Sequence, residues 1–319
     1  MPERADLQAV DPLTAELIER AKNLGLRAMT LVDGIRVGEQ ASPRRGFSVE
    51  FAQHREYVPG DDLRHIDWRA YGRSERLTIK EFRQETNFTA HIVVDQTGSM
   101  AYPPKGPDKA ALARLMGLVV AQLASSQGDA SALWLASGDN PKADPMIVPA
   151  GSRAGSLIVL LSKLAALRAS PTPEDSVSRK ALARTLESLA SRPLRRGMVV
   201  VISDFLEPWE ELVAPMRQIR VRGHDLILLH TLHGDEVDLP WKGEVRFEDL
   251  ESSLKVMARP HQIRDRYRHE VETWLSRIGS DLQGMRADYA LLLADEDTAS
   301  PVLELLARRL ARRKASGRS

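Results

Sequence analysis

The stretch HIVVDQTGSM, residues 91–100, decides the fold. The run from His91 to Val94 reads as a strand buried on both faces, because it is apolar and β-branched without alternation. It ends on Asp95, and Thr97 and Ser99 follow at every second position. A carboxylate delivered to the end of a buried strand is costly unless it is paired or holds a metal. Chemistry is therefore expected at this strand end.

Working outward, the chain alternates between strand and helix from residue 90. Residues 108–125, DKAALARLMGLVVAQLAS, predict a helix with a broad apolar face, and 131–137 a strand. Residues 146–150 predict a short edge strand, because Pro149 has no N–H for a ladder. Helices are expected over 153–168 and 178–191, a strand over 197–204, a helix over 209–223 and a strand over 225–232. Residues 243–258 break the pattern and read as an inserted β-hairpin. A helix around 261–278, a strand over 288–294 and a helix over 300–313 follow. Such alternation implies an α/β fold, a doubly wound, mostly parallel sheet with helices on both faces.

Upstream, Asp11-Pro12 opens a helix, since Asp caps and Pro is tolerated at the first helical position. Residues 1–33 are expected to form this N-terminal helix. Residues 34–89 change character, being rich in Gly, Arg and acidic residues, and are expected to form a small β-rich unit. Residues 90–300 then form the α/β domain, with the hairpin inserted at about 243–258, and 301–319 a C-terminal helix and basic tail.

Bulk composition excludes several classes. The 319 residues are 43% hydrophobic and 28% charged, as in an ordinary globular protein. The formal net charge is +1, and from Arg36 to Arg83 ten basic residues face eight acidic ones. That near balance argues for internal ion pairs and against nucleic-acid binding. There is no cysteine, which removes disulfides, thiolate zinc sites and cysteine nucleophiles. No stretch approaches the roughly 20 apolar residues of a membrane span, and MPERADLQAV lacks the apolar core of a signal peptide. The expected location is the cytoplasm.

A second apolar strand, in VVVISDF, ends on Asp204. In open α/β sheets ligands bind beyond the carboxyl ends of the strands. If these two strands are neighbours, Asp95 and Asp204 converge, with the hydroxyls of Thr97 and Ser99 beside them. This all-oxygen set suits a hard cation, Mg²⁺ (or Mn²⁺). Other sites are weaker. The eight histidines show no zinc-type spacing, and His230 and His233, flanking a strand end, are expected at the surface. There is no phosphate-cradling Gly-x-x-x-x-Gly-Lys loop and no Gly-x-Ser-x-Gly elbow.

Asp95, Thr97 and Ser99 resemble the first triad of the metal-ion-dependent adhesion site of von Willebrand factor A domains, with Thr in place of the first Ser. The resemblance implies a last Asp, matched by Asp204, and a distant hydroxyl, for which Ser176 is the candidate and Ser178 or Thr172 are alternatives. The segment 50–82, EFAQHREYVPGDDLRHIDWRAYGRSERLTIKEF, resembles the signature of the domain of unknown function 58 family, through Arg55, Tyr57, Pro59, Gly60, Asp61, Asp62, Arg64, Asp67 and Trp68 among others. That family joins this signature to a von Willebrand A-like domain. The physical reading of the segment is a stapled platform, with Arg55, Arg64, Arg69 and Arg73 paired to Asp61, Asp62 and Asp67, and with Tyr57 and Trp68 as apolar cover.

The resemblance implies a MoxR-type AAA+ ATPase as partner, and a role in chaperone-like assembly or maturation of other proteins. The function expected is a divalent-cation-dependent protein-binding module. Its metal would be held by Thr97, Ser99 and Ser176 with Asp95 and Asp204, leaving one position for an acidic side chain of a partner. The alternative is a metal-dependent phosphohydrolase with Asp95 as nucleophile.

Overall fold

The computed structural model describes residues 49–56, 68, 71, 72, 77–84 and 88–296, with 107, 127, 139, 141, 153 and 170–179 excepted. The chain divides into two compact units, Ile35–Asn87 and the remainder. In the smaller unit β1 (Val49–Glu56) pairs antiparallel with β2 (Thr78–Gln84), and the register shifts between Phe51 and Gln53. Trp68 meets Tyr71 edge to face at 6.2 Å. Contrary to its expected covering role, Trp68 is 63% exposed. The side chains of the anticipated arginine–aspartate staple lie outside the described residues, as do the predicted helices at 1–33 and 300–313.

The larger unit is built on six strands. They are β3 (Thr89–Asp95), β4 (Ala130–Ala136), β5 (Met146–Gly151), β6 (Met198–Ser203), β7 (Asp225–Leu232) and β10 (Asp288–Leu293), in the spatial order β10-β7-β6-β3-β4-β5. All neighbours are parallel except β5, which runs antiparallel on the edge. Pro149 is accommodated there because an edge strand has one unpaired side. Numbered by their sequence within the sheet, the strands run 3-2-1-4-5-6, which is a doubly wound order with its switch point between β3 and β6. The fold is thus α/β with a mostly parallel sheet.

Side chains of successive residues in each strand point to opposite faces, and both faces are buried. Ile92, Val94, Val200, Ile202, Ile227 and Leu229 share one core with α1 (Lys109–Ser126) and α2 (Ala154–Ala166). Val93, Trp134, Val199, Val201, Leu226 and Leu228 share the other with α3 (Ala181–Ser191), α4 (Trp209–Val221) and α6 (Pro260–Gly284). This two-sided burial explains why the strands read as unbroken apolar runs. Helix α6 continues past the expected end near residue 278 because Ile278 and Leu282 keep an apolar stripe on the core. Between β7 and α6 come the short helix α5 (Gly234–Asp238) and the antiparallel pair β8 (Val245–Glu248) and β9 (Lys255–Ala258). No described helix is long and apolar enough to cross a membrane.

Candidate functional site

Because β3 and β6 are hydrogen-bonded neighbours, the residues that end them meet at the switch point. Asp95 and Asp204 are each 2% exposed. Asp95 is wrapped by donors. Its Oδ1 accepts from the Thr97 amide at 2.9 Å and from the Thr97 hydroxyl at 2.8 Å, and its Oδ2 accepts from the Ser203 hydroxyl at 2.6 Å. Ser203 in turn accepts from the Phe205 amide at 2.9 Å. Phe205 sits at φ 50°, in the left-handed region that non-glycine residues seldom adopt. That turn carries the chain away directly after Asp204, and strain of this kind gathers at functional sites.

The hydroxyl loop is held in the same way. Thr97 Oγ1 and Ser99 Oγ lie 3.2 Å apart. Thr97 has given its one proton to Asp95, so Ser99 is the donor between them. Asp95 therefore fixes the Thr97 proton, and Thr97 Oγ1 keeps one lone pair beyond the one that accepts from Ser99, which a hard cation could use. Among the described residues no three carboxylate or imidazole groups close on one point, so the donor set here is mixed, two hydroxyls with carboxylates. Ser176, Ser178 and Thr172 lie outside the described residues.

A lysine completes the floor. Lys109, fully buried, places Nζ 2.8 Å from Asp204 Oδ2 and 2.7 Å from Glu236 Oε1. Asp108 caps α1 by accepting from the Ala111 amide, which sets Lys109 at the first helical position. A cation there opposes the helix dipole and is desolvated as well. The two carboxylates offset both costs and hold its pKa above the ordinary lysine value despite burial. Asp204 Oδ1 receives a long contact of 3.4 Å from the Leu206 amide.

His230 supports the main chain from below. It is fully buried, not at the surface as expected, because β7 lies between β6 and β10. Its Nε2 lies 2.9 Å from the Asp204 carbonyl and its Nδ1 2.9 Å from the Tyr289 hydroxyl. Burial pushes its pKa down to about 4, so the ring is neutral at pH 7. A carbonyl only accepts, so Nε2 carries the proton and Nδ1 accepts from Tyr289. His233 instead caps α5 by accepting from the Asp235 amide at 3.2 Å.

The electrostatics are those of crowded carboxylates. Burial, and then the neighbouring charge of Asp204, hold Asp95 well above the ordinary aspartate range, against the pull of the Ser203 and Thr97 hydrogen bonds. Glu207 is pushed up to about 8 by burial and by Asp95, against its bonds from the Leu182 and Ala183 amides at the start of α3. Lys109, Ser203 and Glu207 escaped the sequence reading. The signal for Lys109 was a cation at the first position of an apolar helix, and for Ser203 a hydroxyl next to the strand-ending Asp204.

The strand order, the antiparallel edge and the aspartates with two hydroxyls at the switch point define a doubly wound α/β domain with a polar site at the carboxyl ends of its strands. The family model "Protein of unknown function DUF58" matches residues 53–274, and the chain belongs to that family. The "Uncharacterized protein Rv1480" of Mycobacterium tuberculosis is 26% identical over 297 residues, covering 92% of this chain and 90% of the relative. The "Uncharacterized protein MAV169" of Mycobacterium avium is 27% identical over 128 residues, covering 39% and 73%. Among solved structures, an aerotolerance-related membrane protein from Bacteroides fragilis aligns over 71% of this chain and 100% of its own, at 15% identity and TM-score 0.40. The SpRpn10 VWA domain aligns over 46% and 76%, at 14% identity and TM-score 0.29.

Proposed function

We propose that this chain is a divalent-cation-dependent protein-interaction module, acting in the cytoplasm with a MoxR-type AAA+ ATPase in the assembly or maturation of other proteins. One observation supports the cation: Asp95 and Asp204 are both buried at the switch point, near enough that the charge of Asp204 raises the Asp95 pKa, with the Thr97 and Ser99 hydroxyls next to Asp95. Two carboxylates at such a place need positive charge, and Lys109 is already shared between Asp204 and Glu236. Thr97, Ser99 and Ser176 would hold Mg²⁺ or Mn²⁺ directly, with Asp95 and Asp204 direct or through water. Bound there, the ion supplies a Lewis-acidic position for an acidic side chain of a partner. The ATPase partner rests on the family resemblance alone.

The phosphohydrolase alternative is disfavoured by the same geometry. A nucleophilic carboxylate must face its substrate, whereas Asp95 is 2% exposed, with Oδ1 taken by two donors and Oδ2 by one; the lone pair left on Oδ2 suits contact with an ion through water better than attack on a phosphorus. The test is thermal unfolding of the full chain with and without Mg²⁺ or Mn²⁺, followed by capture of a purified MoxR-type ATPase with and without chelator. The ion raises the melting temperature of the wild type, and Asp95→Ala abolishes the rise. An equal rise in the variant places the ion elsewhere. Capture indifferent to chelator overturns the cation-dependent contact, and turnover of generic phosphate esters restores the enzyme.

A further inference from the structure

The turn between β8 and β9 lies over the hydroxyl loop. A Cβ on Gly98 would stand 2.6 Å from the Leu250 carbonyl oxygen and 3.3 Å from Glu251 Cγ, so glycine is what allows this approach. The Ser99 amide donates to Glu251 Oε1 at 3.1 Å. The turn is shaped to hold that side chain. Asp249 Oδ1 accepts from the Glu251 amide at 2.9 Å, Asp249 Oδ2 accepts from the Ser252 hydroxyl, and the Asp249 amide donates to the Leu254 carbonyl at 3.0 Å. Elsewhere the hairpin is lightly packed, with Leu250, Leu254, Val256 and Met257 between 43% and 62% exposed.

This placement sets a carboxylate among carboxylates. Glu207 feels the charges of both Glu251 and Asp95, and Lys109 is committed to Asp204 and Glu236. Like charges gathered in this way repel, and either a proton on one of them or a cation among them relieves the repulsion. The hairpin therefore delivers, from within the chain, the kind of group that an adhesion-type site takes from outside.

We propose that Glu251 is the chain's own occupant of the position that a partner's carboxylate takes, and that a partner reaches the site by displacing the β8–β9 hairpin. The inference rests on the cation reading of the same site. The partner it fits carries an Asp or Glu on a tight turn, whose main chain can lie on Gly98 as Leu250 does.

The probe is Mn²⁺, followed by water-proton relaxation on the full chain. Wild type is compared with Glu251→Ala and with Glu251→Gln, which keeps an acceptor for the Ser99 amide. Glu248→Ala, on the same hairpin, is the control. At saturating Mn²⁺ the Glu251→Ala protein gains one inner-sphere water, and its relaxivity rises by that increment. Added acetate takes that position in Glu251→Ala at about tenfold lower concentration than in wild type, where it must displace Glu251, the change expected for losing a competing contact of roughly 1.4 kcal/mol. Glu251→Gln falls between them, and Glu248→Ala matches wild type. Mn²⁺ binding with unchanged relaxivity and acetate response in Glu251→Ala overturns the role of Glu251 and leaves the cation site standing. Absence of Mn²⁺ binding in every protein overturns the cation site, and this inference with it.

Discussion

Lys109 Nζ lies 2.8 Å from Asp204 Oδ2, and both side chains are sealed from solvent. The pair ties the start of α1 to the end of β6, across the crevice where the sheet changes direction. It also sets the charge of the site. With Lys109 engaged, part of the Asp204 charge is offset, so an ion held there, as proposed, would keep positive charge for an incoming acid.

Removing the lysine leaves buried charge behind. Lys109→Met strands Asp204 fully and Glu236 in part, and breaking a buried pair from one side costs about 3 kcal/mol or more. Urea unfolding should show that loss. A variant as stable as wild type would mean that Asp204 and Glu236 find other partners once the lysine is gone.

Ser203 bridges the two strand ends, donating to Asp95 and accepting from Phe205. Ser203→Ala removes one donor and leaves one buried amide unsatisfied, at a cost of about 1–3 kcal/mol. Since Ser203 helps to keep Asp95 ionised, the stabilisation by Mg²⁺ at pH 7 should also shrink. Calorimetric unfolding with and without Mg²⁺ measures both. An undiminished response to Mg²⁺ would separate Ser203 from the ion.

The sheet was legible because burial on both faces writes each strand as an apolar run, and β3 and β6 both end abruptly on aspartate. Their adjacency was not legible, because alternation with helices implies a parallel sheet but not its strand order; the pairing of β3 with β6 supplies it. The rest of the site was not legible because it comes from long-range approach. Lys109 looks like one more helix residue until α1 packs on the sheet. Glu251 lies 152 residues from Ser99, on a hairpin whose own sequence does not announce where its turn rests. His230 was misplaced because a strand-end histidine resembles a rim residue. Its burial depends on β10, which arrives later in the chain and covers the far side of β7.

Gly98 is what lets the β8–β9 turn rest on the hydroxyl loop. An alanine Cβ would meet the Leu250 carbonyl at 2.6 Å, and main chain cannot yield as a flexible side chain does. Gly98→Ala should lift the β8–β9 turn and leave the six-stranded sheet intact. Hydrogen exchange should quicken at the Ser99 amide and across 249–254, while global stability changes by no more than about 1–3 kcal/mol, the usual cost of overpacking. Unchanged exchange in both segments would show that the turn does not rest on Gly98 in solution.

The last prediction concerns pH and lies away from the cation site. His91, in the body of β3, is 2% exposed, and its Nδ1 accepts from Trp134 Nε1 at 3.3 Å. Burial, and then the neighbouring His224, push its pKa down from 6.5 to about 4. The unfolded chain therefore binds a proton near pH 6.5 that the folded chain refuses until about pH 4. Between those values the unfolded state holds more protons, so stability falls as pH falls. The contribution is intact above pH 6.5, is lost progressively below it, and levels off near pH 4, for a total of about 3 kcal/mol at 1.36 kcal/mol per unit. Buried carboxylates with raised pKa values, Asp95 and Glu207, act in the opposite direction, so the raw profile mixes the two. Subtraction isolates the histidine. His91→Asn keeps an acceptor for Trp134 and cannot be protonated in this range. Urea unfolding of both proteins from pH 7.5 to pH 4 should show the variant losing less stability than wild type, with the difference opening below pH 6.5. Parallel profiles would mean that His91 takes up its proton in the folded state at an ordinary pKa.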